Sequence, residues 1–340
     1  MASEWELREQ QTEVVGVAAQ TPCRGTALQV TYSRYCIQIG GTGDSDMTHT
    51  SRRELLILIA SLSAGASVPA WSEEAQRKLL PVATPGIDHL DVSVPDVEKS
   101  TRFYMGLLRT ALHAQPFRGG QRYFVLLGAL PENRAVGYIA VGAASGRPTM
   151  IGHFCTSVTE WRRDSEKIFA QMKDTFAAKG FGQFPGGGGF GGTFNDPDGN
   201  EVQFLPSPDT LVTAAVPSDL VPWNQGLVTP RRLEYAQVRV SNLDRALDFY
   251  RLLYGKESAR NKKDATFKFR NGSYLKLVAA SYEYGNAKSR IESFGIRVDA
   301  FDKAAVATAV ATLGGKVTGG DGAVLRIQDV DGIEFELVPG

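Results

Sequence analysis

Cysteine is scarce in this chain. Its three residues, Cys23, Cys36 and Cys155, show neither CxxC nor finger spacing, which excludes a disulfide framework and a zinc-finger arrangement. Charge of one sign is equally missing. Lys plus Arg and Asp plus Glu stand at 37 each, with no basic stripe and no aromatic-basic interleaving, so nucleic acid is excluded as a partner. No apolar run approaches the roughly 20 residues that a membrane-crossing helix needs. The glycine-rich run Phe181 to Gly192 lacks the Lys-Ser/Thr ending of a phosphate loop. Histidine is rare too, yet three of the four, His89, His113 and His153, fall between Gly86 and Pro206. What remains is ordinary and ample: 340 residues with 43% hydrophobic content can bury a core in each of two domains.

The N-terminus reads as two dispensable pieces. Residues 1–46 are polar and aperiodic, as in a non-native or disordered extension. Residues 47–70 then place Arg52-Arg53 before an apolar run to Ala66 and the small-residue exit Val68-Pro69-Ala70. This is the pattern of a twin-arginine signal peptide. It predicts a mature chain starting near Trp71, without a stable membrane span, located in the periplasm or otherwise outside the cytoplasm.

Three strands downstream each offer a candidate ligand. Ile87 to Val94 alternates with a period of two, so His89, Asp91 and Ser93 share a face. Ile151 to Val158 does the same for His153, Cys155 and Ser157. The turn Asn195-Asp196-Pro197-Asp198-Gly199-Asn200 leads into Glu201 to Leu205, with Glu201 and Gln203 on one face. Between the first two strands, Asp96 is a helix cap and Val97, Phe103, Tyr104, Leu107 and Leu108 form an apolar stripe. After the second, Ser157 and Glu160 have capping-box spacing ahead of a stripe from Trp161 to Phe176, with Gly180 as the stop.

The strand-initial histidines, the helix ending in Phe103-Tyr104 and the DPDGN turn together resemble the vicinal oxygen chelate superfamily. That group includes glyoxalase I, extradiol dioxygenases and bleomycin-resistance proteins. The resemblance implies an α+β fold of four βαβββ modules paired into two curled mixed-sheet, glyoxalase-like domains. It further implies a divalent metal ion, Fe, Mn or Zn, held by His89, His153 and a third ligand on the strand after the turn. Family spacing usually puts Glu at that third position, and here it lands on Gln203. Asp91 and Glu201, on the same faces, are candidates for proton transfer. The expected partner is a small oxygen-chelating substrate, and the expected chemistry is of isomerase, lyase or dioxygenase type. A neutral amide at the third position favours the first two. The alternative is a metal-free protein that binds or sequesters a small molecule, as bleomycin-resistance proteins do. Phe184 and Phe190, in the glycine-rich run, could ride on a lid over the site.

Residues 86–206 thus form the first domain, the proline-bearing stretch 207–230 a linker, and 231–340 a second domain. An offset of 146 residues carries His89 onto Tyr235 and Phe103-Tyr104 onto Phe249-Tyr250. Asn271-Gly272 marks a hairpin, and Asp329-Val330-Asp331-Gly332 repeats the DPDG turn. In the second copy Tyr235, Ser293 and Glu336 replace His89, His153 and Gln203, which reads as a degenerate site. Arg239, Arg297, Glu334 and Glu336 are expected to point inward and pair.

Overall fold

The computed structural model describes residues 30–32, 35–37, 78–117, 120–128, 137–181, 192–206, 225–280 and 290–340. Strands β1 (Val30–Tyr32) and β2 (Tyr35–Ile37) pair antiparallel within the region before residue 76. The signal-like segment 47–70, the lid carrying Phe184 and Phe190, and most of the linker lie outside the described residues.

From residue 78 onward the chain repeats one pattern. The first module is β3 (Ile87–Val94), α1 (Val97–Leu107), β4 (Leu112–Phe117), β5 (Gly120–Leu127) and β6 (Gly137–Ala143). The second contributes β7 (Met150–Val158), α2 (Trp161–Ala178), β8 (Gly192–Asn195) and β9 (Glu201–Pro206). The third runs β10 (Pro230–Val240), α3 (Leu243–Tyr254), β11 (Ala259–Arg260), β12 (Asp264–Lys268) and β13 (Tyr274–Ala279). The fourth is β14 (Arg290–Val298), α4 (Lys303–Thr312), β15 (Lys316–Gly319), β16 (Leu325–Gln328) and β17 (Glu334–Pro339).

These fifteen strands make one large mixed sheet that does not close into a barrel, giving an α+β fold with four helices among the described residues. In each half the two module-opening strands lie antiparallel, β3 on β7 and β10 on β14. Each is flanked by a parallel partner: β6 on β3, β9 on β7, β13 on β10 and β17 on β14. The two strand groups meet at a single pairing, Ile151 with Ile291. None of the described helices is long and apolar enough to cross a membrane.

Three helices start on the caps their sequences carry. The Asp96 carboxylate accepts the Lys99 N–H at 3.0 Å, Asn242 accepts that of Arg245 at 3.0 Å, and Asp302 accepts those of Ala304 and Ala305. The fourth departs from expectation: Ser157 stays inside β7, and α2 begins at Trp161 with no side-chain cap. The Ser157 hydroxyl is used elsewhere, donating to Asp88 Oδ2 at 2.9 Å.

Packing between the halves is reciprocal. Tyr104 on α1 donates to Asp329 Oδ2 at 2.8 Å, and Tyr250 on α3 donates to Asp196 Oδ2 at 3.0 Å. Each Phe-Tyr helix end therefore grips the Asp-Gly turn of the other half. The other oxygen of each aspartate holds its own turn, Asp196 Oδ1 taking the N–H groups of Asp198 and Asn200, and Asp329 Oδ1 those of Asp331 and Ile333. Ring contacts follow the same plan, Phe103 with Phe335 and Phe176 with Phe249. One apolar cluster accordingly runs from Leu80 through both halves to Leu337.

Candidate metal centre

Strand register sets two rows of side chains across β3, β7 and β9. His89, Cys155 and Gln203 stand opposite one another in the first row, and Asp91, His153 and Glu201 in the second. Side chains opposite in register share a sheet face, so all the residues expected from the sequence emerge on one side.

His89 Nε2 and His153 Nε2 face each other at 3.2 Å. Two nitrogens bound at about 2.0–2.1 Å in tetrahedral geometry stand about 3.3 Å apart, so the pair is already at chelating separation. The outer nitrogen of the His89 ring is engaged. His89 Nδ1 donates to Asp88 Oδ1 at 2.8 Å, which leaves the lone pair on Nε2. The His89 ring also stacks on Tyr138 of β6 at 4.4 Å and 12°. Burial, His89 and Arg122 together push the His153 imidazole well below its ordinary 6.5, and a hydrogen bond with Gln203 opposes them. His153 is therefore neutral at neutral pH, as a ligand must be. Its Nδ1 lies 3.9 Å from Glu201 Oε1. Two imidazoles at this separation, one with its outer nitrogen fixed, and an adjoining carboxamide fit a divalent first-row ion.

Glu201 and Asp91 part company here. The Glu201 carboxyl is about half exposed, 42%, and burial pushes it up, opposed by Arg147 and Arg122. A raised carboxyl beside a candidate ion suits proton transfer. Asp91 is ion-paired with Arg122. A carboxylate held by a guanidinium is a weakened base, so the role expected for Asp91 passes to positioning.

Another grouping of donors occurs at the same place: one ligand atom each from Asp88, His89 and Cys155 lie within 4.8 Å of one another. Its chemistry suits a backing layer better than a ligand set. Asp88 is bonded to His89 Nδ1 and Ser157. Burial, with Asp88 next, pushes the Cys155 thiol well up, whereas a metal-bound cysteine must be a thiolate.

Asp88, Tyr138 and Arg122 were invisible to sequence reasoning. Alternation puts Asp88 on the face opposite His89, but the β3–β7 register slips between Ile87 and His89. The bulge at Asp88 turns its carboxylate to the histidine. Tyr138 and Arg122 arrive from strands with no motif of their own.

The second half repeats the frame with other chemistry. A bulge falls at Glu234, and the rows are Tyr235, Gly295, Glu336 and Gln237, Ser293, Glu334. Tyr235 stacks on Tyr274 at 5.3 Å as His89 does on Tyr138. Its hydroxyl hydrogen-bonds both Glu336 and Ser293, so the three residues expected to take the ligand positions do converge, closed on each other. Gly295 makes room for this, since a Cβ there would stand 2.5 Å from the Tyr235 ring. The expected inward pairing is also seen. Arg239 pairs with Glu292, Arg297 with Glu234, and Arg326 with Glu336 and Glu334.

Known proteins resemble this chain over one segment in sequence and over most of it in fold. Residues 86–204 match the profile of the Glyoxalase/Bleomycin resistance protein/Dioxygenase superfamily. The matched segment, about a third of the chain, is thus similar to the vicinal oxygen chelate superfamily. Among solved structures, the chain is similar to the 2,3-dioxygenase LapB from Pseudomonas sp. KL28, with 12% identity, 76% of this chain and 93% of that one covered, and a TM-score of 0.54. It is also similar to the Mn(II)-bound glyoxalase from Novosphingobium aromaticivorans, with 12% identity, coverage of 75% and 82%, and a TM-score of 0.52. At these identities the likeness is one of fold. No curated protein matches the chain in sequence.

Proposed function

We propose that the chain is an exported, metal-dependent enzyme of isomerase or lyase type, acting on a small substrate that chelates through two neighbouring oxygens. The observation that carries this reading is the 3.2 Å approach of two imidazole nitrogens, one of whose rings is held at its outer edge by Asp88. A divalent ion held by His89, His153 and Gln203 supplies Lewis-acid polarisation of a substrate oxygen.

The chain's own side chains do the rest. Asp88 and Tyr138 fix the plane of His89, and Arg122 ties down Asp91 beside it. Glu201, raised by burial and open to solvent, takes a proton from the carbon next to a substrate carbonyl and returns it. Gln203 weighs against redox work, because a neutral ligand set does less to stabilise an oxidised ion than one with a carboxylate.

The test uses α-hydroxyketones and catechols as probes of the metal-loaded protein. Deuterium uptake next to the carbonyl, without oxygen consumption, is expected, and Glu201→Gln should slow it by about a hundredfold or more. Stoichiometric oxygen uptake with a catechol would make the protein a ring-cleaving oxygenase instead. Export rests on the signal-like segment 47–70. Periplasmic protein beginning near residue 71 supports it, and periplasmic protein retaining residues 1–46 refutes it.

A further inference from the structure

A cleft of about 470 Å³ opens over the second half, at the positions that correspond to the histidines of the first. Its size falls within the roughly 300–1,000 Å³ of small-molecule pockets. Its walls are unusual for one, since Val324 is the single aliphatic residue among those that line it. Apart from the Tyr235 and Tyr274 rings, a hydrocarbon ligand has little to bury against. The ligand must be polar around its whole edge.

The polar groups are fixed before any ligand arrives. Arg239 is paired with Glu292, which also accepts from Gln237 Nε2 at 3.2 Å. Arg326 donates to Glu336 at 2.8 Å and lies 3.5 Å from Glu334. Such pairs present a donor edge beside an acceptor edge, the arrangement that vicinal hydroxyls need, because each hydroxyl donates and accepts at once. The rim is held as well: Lys303 Nζ donates to the carbonyls of Gly322 and Val324 at 2.8 and 2.9 Å, tethering the turn that brings Asp321 and Val324 to the cleft. Preorganisation of this kind lowers the entropic cost of binding.

One cation in the cleft has no partner among the described residues. Lys276, partly buried on β13 beside Gln237, faces the same space. An ammonium in a cleft, without a counter-ion, can take an anion. The lining carboxylates Glu292, Asp321, Glu334 and Glu336 outnumber the cations Arg239, Lys276 and Arg326, which opposes a dianionic phosphate more strongly than a single carboxylate and leaves Lys276 as the group to hold the charge. The partly exposed Tyr274 ring offers a flat face for C–H groups.

We infer that the second half carries a separate, metal-independent binding site for a small polyhydroxylated carboxylate of the sugar-acid class, with Lys276 taking the carboxylate and the Arg326–Glu336 and Arg239–Glu292 pairs taking the hydroxyls. This goes beyond the proposed catalytic reading and stands whether or not the first half binds metal.

Calorimetry on the full chain in excess chelator tests it, using glucuronate, galacturonate and gluconate, with glucose and glucose 6-phosphate as controls. At least one sugar acid should bind at one site per chain, at least tenfold tighter than either control. Lys276→Gln should weaken that binding by tenfold or more, Lys276→Arg should retain most of it, and His153→Ala should leave it unchanged. Thermal unfolding of each variant separates lost binding from lost fold. Absence of saturable binding by all three acids up to about 10 mM, ten times weaker than a millimolar fragment, overturns the proposal. So does tighter binding of glucose 6-phosphate, or binding that disappears with His153→Ala.

Discussion

At His89 the choice of ligating nitrogen belongs to its neighbour, because Asp88 fixes the proton on Nδ1 and so exposes Nε2. Asp88→Asn should therefore weaken metal affinity by about ten- to a hundredfold without moving either histidine, as read by competitive titration; an unchanged affinity would make Asp88 a packing residue. His153 makes a separate prediction for the metal-free protein. Its imidazole is held well below 6.5 in the fold, so at acid pH the unfolded chain binds a proton that the native state refuses. Stability should be intact above about pH 6.5 and fall as the pH drops from there toward the folded value. Urea midpoints at about pH 7.5 and about pH 5.5 should show the loss, and His153→Gln should reduce it. The shared face of the candidate ligand residues was legible because strand alternation is a local rule. Asp88 was not, because a bulge is a property of two strands and alternation within one cannot reveal it.

Among the elements, the reciprocal grip of helix end on turn explains why Phe-Tyr and Asp-Gly recur together in both halves. Tyr104 and Tyr250 each donate to a buried aspartate of the opposite half. Removing either hydroxyl leaves a buried carboxylate short of a donor, so Tyr104→Phe and Tyr250→Phe should each cost roughly 1.5–3 kcal/mol in denaturant unfolding. Changes under about 0.5 kcal/mol would mean that solvent replaces the bond. The start of α1 was readable from its Asp96 cap. The start of α2 was misread because Ser157 met the spacing of a capping box while its strand partners and Asp88 had a stronger claim on it. Local motifs fix an element boundary only where no sheet competes for the same residue.

Over the whole molecule, sequence repetition showed four modules, but not how they share a core. Phe103 and Ser100 on α1 reach Phe335 and Asp331 at the far end of the chain, so a half on its own exposes the face that the other half covers. Residues 78–206 expressed alone should lack a cooperative unfolding transition; a sharp transition would show two autonomous domains. The division of labour follows from the same repetition: one frame of rows and bulges carries imidazoles in the first half and a closed Tyr235–Glu336–Ser293 network in the second. The account stands most directly on the metal content of the purified full chain by elemental analysis. It predicts one equivalent of a divalent first-row ion per chain, lost in folded His89→Ala and His153→Ala variants; a wild-type protein that stays metal-free after incubation with Fe, Mn and Zn would contradict it.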